Sequence, residues 1–354
     1  LYLQGSGIFP SGFRAIQTEN PNLKWETTIQ YNAGVDFALF RNELYGTADI
    51  YLKKVKDMLI QPAYLASLGE GGASWSNGPS LQNWGMEFTV GYRHTTAYGF
   101  GYNISGNLDF FRNRVTYLPE TTTGSYAHTT TENLVEAKVP YGSIVGYVVD
   151  GLYQNREEVL ACGQENARVG GLKYADLNGD GRINADDQTW IFNPVPDFSW
   201  GLNVSLNYKD FDLSMFFQGV CGVDIYNNQK FQTDFYSITD AGSNKGNRML
   251  QAWTEDNKGS LIPALTTNNT GDEGRASTYF VEHGSWLKLR SLQIGYNMPS
   301  KLLSKVNMTS ARFYVSGQNL FTLKSDGFTV SDPENPNWAY PHATSVSFGL
   351  QLGF

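Results

Sequence analysis

The sequence predicts an all-β protein, an antiparallel transmembrane β-barrel or part of one, with long loops. Three observations lead there. Apolar and polar residues alternate with period two through most of the chain, the pattern of strands that show a different environment to each face. The segments between the alternating stretches are short and long by turns. The charged fraction is only 17% while the aromatic fraction is 14%, with 37 glycines, a balance suited to one lipid-facing and one wet side.

The elements follow in order. "WETTIQYNAGVDFALF" sets Trp25, Ile29, Tyr31, Val35, Phe37 and Leu39 against Glu26, Thr28, Gln30, Asn32 and Asp36. Leu44, Ala48, Ile50 and Leu52 then alternate with Thr47, Asp49 and Lys53, and Trp84, Met86, Phe88, Val90 and Tyr92 with Asn83, Glu87, Thr89 and Arg93. Phe100, Tyr102, Ile104, Leu108 and Phe110 face away from Asn103, Ser105, Asn107 and Asp109. After a long gap, Phe198, Trp200, Leu202, Val204, Leu206 and Tyr208 alternate with Ser199, Asn203, Ser205 and Asn207. Phe211, Leu213, Met215 and Phe217 follow against Asp212, Ser214 and Gln218. From Trp286 to Tyr296 the pattern is confused, because Lys288 and Arg290 fall in the phase of Leu292, Ile294 and Tyr296. Phe313 and Val315 mark another strand, and Val346, Phe348, Leu350, Leu352 and Phe354 close the chain. These make about nine strands, most of them long enough to cross a bilayer, which takes about 9–11 tilted residues.

Loop lengths carry the second argument. Turns at Arg41–Asn42, Thr95–Ala97 and Lys209–Asp210 are tight, and 298–310 is moderate. Residues 57–82, 113–197, 219–285 and 322–342 are long. Short turns at one rim and long extracellular loops at the other are the habit of outer-membrane barrels. An odd number of strands implies a portion of a larger barrel, since an open edge in lipid leaves backbone groups unpaired. The start, "LYLQGSG", reads as mid-protein, with no basic-then-apolar leader.

Several function classes are excluded. A net charge of −8 without Lys/Arg clusters argues against nucleic acid. No run of 18 apolar residues would make a membrane-spanning helix. His94, His128, His283 and His342 are scattered, without a nucleophile, HExxH or phosphate-loop motif, so no enzyme is expected. Cys162 and Cys221 are too few for a disulfide scaffold, though both fall in predicted outer segments and could pair.

One motif carries chemistry. In "YADLNGDGRINADDQ", Asp176, Asn178, Asp180, Arg182, Asn184 and Asp187 stand at positions 1, 3, 5, 7, 9 and 12 of a calcium loop, with Gly181 at position 6. Ca²⁺ takes six to eight oxygens at about 2.3–2.6 Å, and Arg182 would offer only its carbonyl. The alternative is an ion-free Asn/Asp/Gly turn. Within the long 113–197 loop, residues 176–187 would act as a structural Ca²⁺ staple. "NREEVLA" reads as a short helix capped by Asn155, well upstream of the motif. Exposed loop aromatics Trp75, Tyr126, Trp253, Trp338 and Tyr340 are candidates for stacking on sugars or clamping peptides, and serve equally well as lid-interface anchors or membrane-interface belt residues.

The blocks "NPNLKWETTIQYNAGVDFALFRNELYGTADIYLKKVKDML", "GSIVGYVVDGLYQNREEV", "LKYADLNGDGRINADDQTWIFNPVPDFSWGLNVSLNYKDFDLSMFFQGVCGVDIYN", "SWLKLRSLQIGYNMPSKLL", "ARFYVSGQNLFTL" and "SVSFGLQLGF" together resemble SusC/RagA-type TonB-dependent outer-membrane transporters of Bacteroidetes. The resemblance implies that residues 1–354 are the C-terminal part of a barrel of roughly 22 strands, whose plug domain lies outside this sequence. It implies import of oligosaccharides or peptides, a SusD-like lipoprotein as lid and energy through TonB. It carries over no substrate or energy-coupling residue. The terminal Phe348, Leu350, Leu352 and Phe354 resemble the signal read by the barrel-assembly machinery. The competing reading is a calcium-stabilised glycan-binding β-module without transport.

Overall fold

In a computed structural model of the chain, the residues described are 19–61, 74–118, 138–235, 244–266, 273–303, 308–336 and 339–354. Nine long strands form a single antiparallel sheet. They are β1 (Thr27–Leu39), β2 (Leu44–Lys56), β3 (Ser80–Thr95), β4 (Phe100–Tyr117), β5 (Phe198–Tyr208), β6 (Phe211–Cys221), β7 (Trp286–Asn297), β8 (Ser310–Lys324) and β9 (Ser345–Gly353). They lie side by side in chain order, so every strand is the neighbour of the next. No described helix is long and apolar enough to cross a membrane.

The chain divides into two compact units. One comprises residues 1–31, 52–84 and 113–141. There the Asn77 amide imitates a strand, donating to the carbonyls of Lys24 and Asp57 at 2.8 and 2.9 Å and accepting from the Lys24 amide at 2.8 Å. The other comprises 32–51, 85–112 and 142–354, and its strand register explains the alternation in the sequence. On one face Tyr102, Leu206, Leu213, Ile294, Val315 and Phe348 form a continuous row from β4 to β9. On the other, Asn103, Ser205, Ser214, Gln293, Ser316 and Ser347 do the same. Nearer the tight turns, Phe100, Tyr208, Phe211, Tyr296 and Phe313 stand next to one another on the apolar face, an aromatic band of five adjacent strands.

The confused stretch in β7 has a geometric cause. Phe216 of β6 pairs with Ser291, but the next residue, Phe217, pairs with Leu289, so Arg290 is an extra residue in the strand. Because side chains alternate with period two, one inserted residue reverses the faces beyond it. Lys288 therefore shares the polar face with Ser291 and Gln293, opposite Gln218, whereas Leu292 and Ile294 join the apolar face. On β8, Asn319 and Leu320 lie opposite Arg290, with Asn319 in the left-handed region at φ 49.

A single sheet has no second layer to cover it, and large residues such as Ile294, Phe321, Leu323 and Phe348 remain exposed. The main hydrophobic core lies instead in the long connections. Tyr147, Leu152, Leu172, Tyr174, Phe235, Trp253 and Phe280 pack together, drawn from residues 142–197 and 222–285. Short antiparallel pairs order these connections: Ile144–Tyr147 with Gln188–Phe192, Val149–Leu152 with Leu172–Tyr174, and Asp224–Tyr226 with Val281–His283. Tyr147 also takes an amide–carbonyl bond to Ala276 at 2.9 Å, and a Cβ on Gly146 would meet that carbonyl oxygen at 2.3 Å.

Candidate functional site

Where the long connections meet the polar sheet face, the structure assembles a charged cluster that the sequence pattern only hinted at. The Lys288 ammonium donates to Asp332 Oδ1 at 2.6 Å and to Glu334 Oε2 at 2.5 Å. The Arg290 guanidinium donates to the other Glu334 oxygen and, through Nε, to Gln218 at 2.7 Å. His342 approaches Asp332 Oδ2 through its amide at 2.8 Å and through Nδ1 at 3.0 Å. Trp286 lies below both cations, 5.4 and 5.6 Å from its ring. The Lys288 side chain is only 2% exposed. Burial works against the Asp332 charge, but Lys288 and the amides of His342 and Glu334 hold its carboxyl well below the usual range.

Among the described residues, Asp332, Glu334 and His342 are the one group of His, Cys, Asp or Glu whose ligand atoms converge within 4.8 Å. They already hold an ammonium and a guanidinium, so the cluster serves as an ion lock between strand and loop rather than as a metal cage. Its sequence signature was the anomalous phase of Lys288 and Arg290. A second charged knot adjoins it. Lys230 and Glu282 pair at 2.9 Å, and Glu282 also accepts from Asn227 at 3.0 Å and from the Thr329 amide at 2.9 Å, joining residues 222–285 to 325–336. Burial alone would raise the Glu282 carboxyl, yet Lys230, Thr329 and Asn227 keep it below its ordinary value.

The calcium-type loop is built from local turns. Asp176 accepts the amides of Gly179 and Gly181 at 2.7 and 2.8 Å, and Asn178 and Asp180 each accept the amide two residues on, at 2.9 and 2.8 Å. The loop closes through Asp187, fully buried, which accepts Leu177 and Asn184 amides at 2.9 Å each. Asn184 caps the 3₁₀ turn Ala185–Asp187. Gly179 and Gly181 adopt φ of 75 and 78, where a side chain would be strained. The Gly181 amide, followed by those of Gly179 and Asp180, holds the Asp176 carboxyl below its ordinary value. Asp187 Oδ1 is already shared by the Leu177 and Asn178 amides, at 2.9 and 3.5 Å, but Asp176, Asn178 and Asp180 are exposed and bear oxygens with two acceptor sites each, so this donor set fits a hard, oxygen-seeking cation. Helix α1 (Arg156–Ala161) forms as its sequence predicts, with Asn155 accepting the Glu158 amide at 2.8 Å. Though upstream, it delivers Gly163 to the loop: the Gly163 carbonyl accepts the Ile183 amide at 3.2 Å, and a Cβ there would meet the Gly181 oxygen at 1.9 Å.

The aromatic candidates that the structure describes differ in their surroundings. Trp253 was expected as an exposed loop aromatic, but it is only 7% exposed. It belongs to the loop core and spends its indole N–H on Gln154 at 2.9 Å, because a long water-bathed loop must bury apolar surface of its own to hold a shape. Tyr340 is 94% exposed and Trp75 40%. Tyr126 and Trp338 lie outside the described residues. Phe348, Leu350, Leu352 and Phe354 are all exposed, the first three paired in register with β8. Cys162 and Cys221 are free thiols rather than a disulfide.

Known proteins share this fold. A family model described as TonB dependent receptor-like, beta-barrel, matches residues 1–332. The TonB-dependent receptor P3 of Formosa agariphila is 32% identical, covering 95% of this chain and 35% of the relative. The TonB-dependent receptor SusC of Bacteroides thetaiotaomicron is 26% identical, covering 95% and 32%. A solved structure of the RagAB peptide transporter superposes with a TM-score of 0.76 at 23% identity, covering 95% of this chain and 36% of that one. The chain thus spans about a third of the length of the curated relatives it matches.

Proposed function

Because the chain belongs to the TonB dependent receptor-like β-barrel family, we propose that it forms part of the barrel of an outer-membrane importer of the SusC/RagA class. The observation that carries this reading is the pair of unlike sheet faces in strict register. An apolar face rimmed by aromatics suits lipid and its headgroup boundary, and a face of Asn, Ser and Gln suits a water-filled lumen. The imported cargo in this reading is an oligosaccharide or a peptide. A SusD-like surface lipoprotein lids the loop side, and TonB supplies energy through parts of the protein outside this chain. Tyr340 and Trp75, with Tyr126 and Trp338, are the aromatics assigned to cargo or lid contact. Phe348, Leu350, Leu352 and Phe354 serve barrel assembly. The loop of Asp176, Asn178, Asp180, Arg182, Asn184 and Asp187 takes a structural Ca²⁺, whose role is to fix the fold of residues 142–197 and not to sense the ion.

The test is a fractionation and uptake experiment on the full-length protein. It should partition with the outer membrane, and its loss, like loss of TonB, should abolish growth on the cargo oligosaccharide or peptide. A soluble monomer, stable in plain buffer, would overturn the importer reading in favour of a calcium-stabilised binding module.

A further inference from the structure

The apolar face has one conspicuous gap. Gly106 of β4 pairs with Leu202 of β5, which pairs with Phe217 of β6, so glycine interrupts a row of large side chains. Other strand glycines are dictated by packing. A Cβ at Gly91 would strike the Tyr45 ring at 2.2 Å, one at Gly219 the Trp200 ring at 2.4 Å, and one at Gly349 the Tyr314 ring at 2.1 Å. At Gly106 the nearest atom would be the Gly201 oxygen at 3.7 Å, an ordinary contact. The fold has room for a side chain there, and a strand-interior glycine weakens a sheet. The missing side chain instead leaves an open groove of about 390 Å³, lined by Phe88, Val90, Leu108, Trp200 and Leu202 together with Asn107 and Gly201. That volume lies within the roughly 300–1,000 Å³ of small-ligand clefts.

We propose that this groove seats one acyl chain of a membrane glycerophospholipid. The inference rests on the membrane reading above, because the groove is continuous with the apolar face assigned to lipid. Its walls offer hydrocarbon and aromatic surface, so its occupant is hydrocarbon. Gly106 lies six residues beyond Phe100 of the aromatic band. At about 3.3 Å per residue and a tilt of about 40° that is roughly 15 Å, the depth of one leaflet's chains. A slot one residue wide admits a single chain, which a two-chain lipid can lower into it while the other stays in the bilayer.

The test uses the full-length protein in phosphatidylcholine bilayers, with trace phosphatidylcholine spin-labelled near the end of one acyl chain. Beyond the boundary-lipid component shared by every inserted barrel, the wild type should show an extra motionally restricted fraction that Gly106→Leu and Val90→Phe each lose, while Ile294→Leu, elsewhere on the same face, keeps it. Heat-modifiable gel mobility verifies that each variant's barrel is folded, and two independent fillings guard against the failure of one. Equal restricted components in all four proteins overturn the groove and leave the membrane reading standing. The absence of any boundary-lipid component in every protein overturns both. Restriction seen only with spin-labelled lipopolysaccharide overturns the assignment to phospholipid.

Discussion

Lys288 and Asp332 meet across 44 positions of sequence, ammonium to carboxylate at 2.6 Å, with both side chains almost wholly withdrawn from solvent. The contact ties the last long connection to the polar face of β7. A buried charge deprived of its partner is costly, roughly 3–5 kcal/mol for the removal of one member. Asp332→Ala should therefore free residues 325–336 from the strand, detected as new protease cleavage there with the sheet intact. Lys288→Met with Asp332→Leu should restore much of the protection. Unchanged cleavage in Asp332→Ala would show that the lock does not hold the loop.

The same carboxyl sets a pH dependence. Its folded pKa is depressed below the ordinary 3.8, so its stabilisation is fully present above that value and is lost as pH falls through the lower folded one. Hydrogen exchange at residues 325–336 should stay slow from neutral pH down to about 4 and quicken only in stronger acid. Quickening near pH 6 would assign control to another group.

Trp253 anchors the loop core, not a binding surface. Trp253→Ala removes a large buried side chain and leaves Gln154 without its indole donor, a loss of about 3–5 kcal/mol. The variant should expose residues 142–197 and 222–266 to protease while heat-modifiable mobility of the barrel persists. Weakened cargo binding without any loop loosening would return the residue to the contact surface.

Chelation tests the ion. EDTA should raise protease sensitivity around residues 176–187 without unfolding the barrel, and added Ca²⁺ should reverse it. Asp187→Asn should mimic the chelated state, and Gly163→Ala should loosen the loop even with Ca²⁺ present, because the Gly181 oxygen has no room for the added methyl group. Identical cleavage with and without EDTA would remove calcium from the description and leave the importer reading untouched.

The two faces predict opposite tolerance to charge. Val204→Arg, on the apolar face, should cost about 2–4 kcal/mol in a bilayer and impair membrane assembly, whereas Ser205→Arg, one residue on and facing the polar side, should assemble normally. Urea unfolding from phospholipid vesicles measures the difference. Equal tolerance at both positions would contradict the assignment of lipid to one face.

The sequence by itself determined the strands, the faces of all but β7 and the tight turns, because alternation at period two is local chemistry that each segment carries without its partners. It also determined the calcium-type loop and the cap at Asn155, since Asx turns reach only two to five residues along the chain. What only the tertiary structure decided depends on contacts between distant segments. The extra residue at Arg290 shows itself through the register of β6 against β7, and it alone explains why Lys288 belongs with Ser291 rather than with Leu292. The partner of Lys288 lies in another connection, and the burial of Trp253 follows from which loops pack together. Gly106 reads as one glycine among many until its neighbours are in place and prove to leave it space. Local periodicity fixes which way a side chain faces, but only the assembled register fixes what it meets.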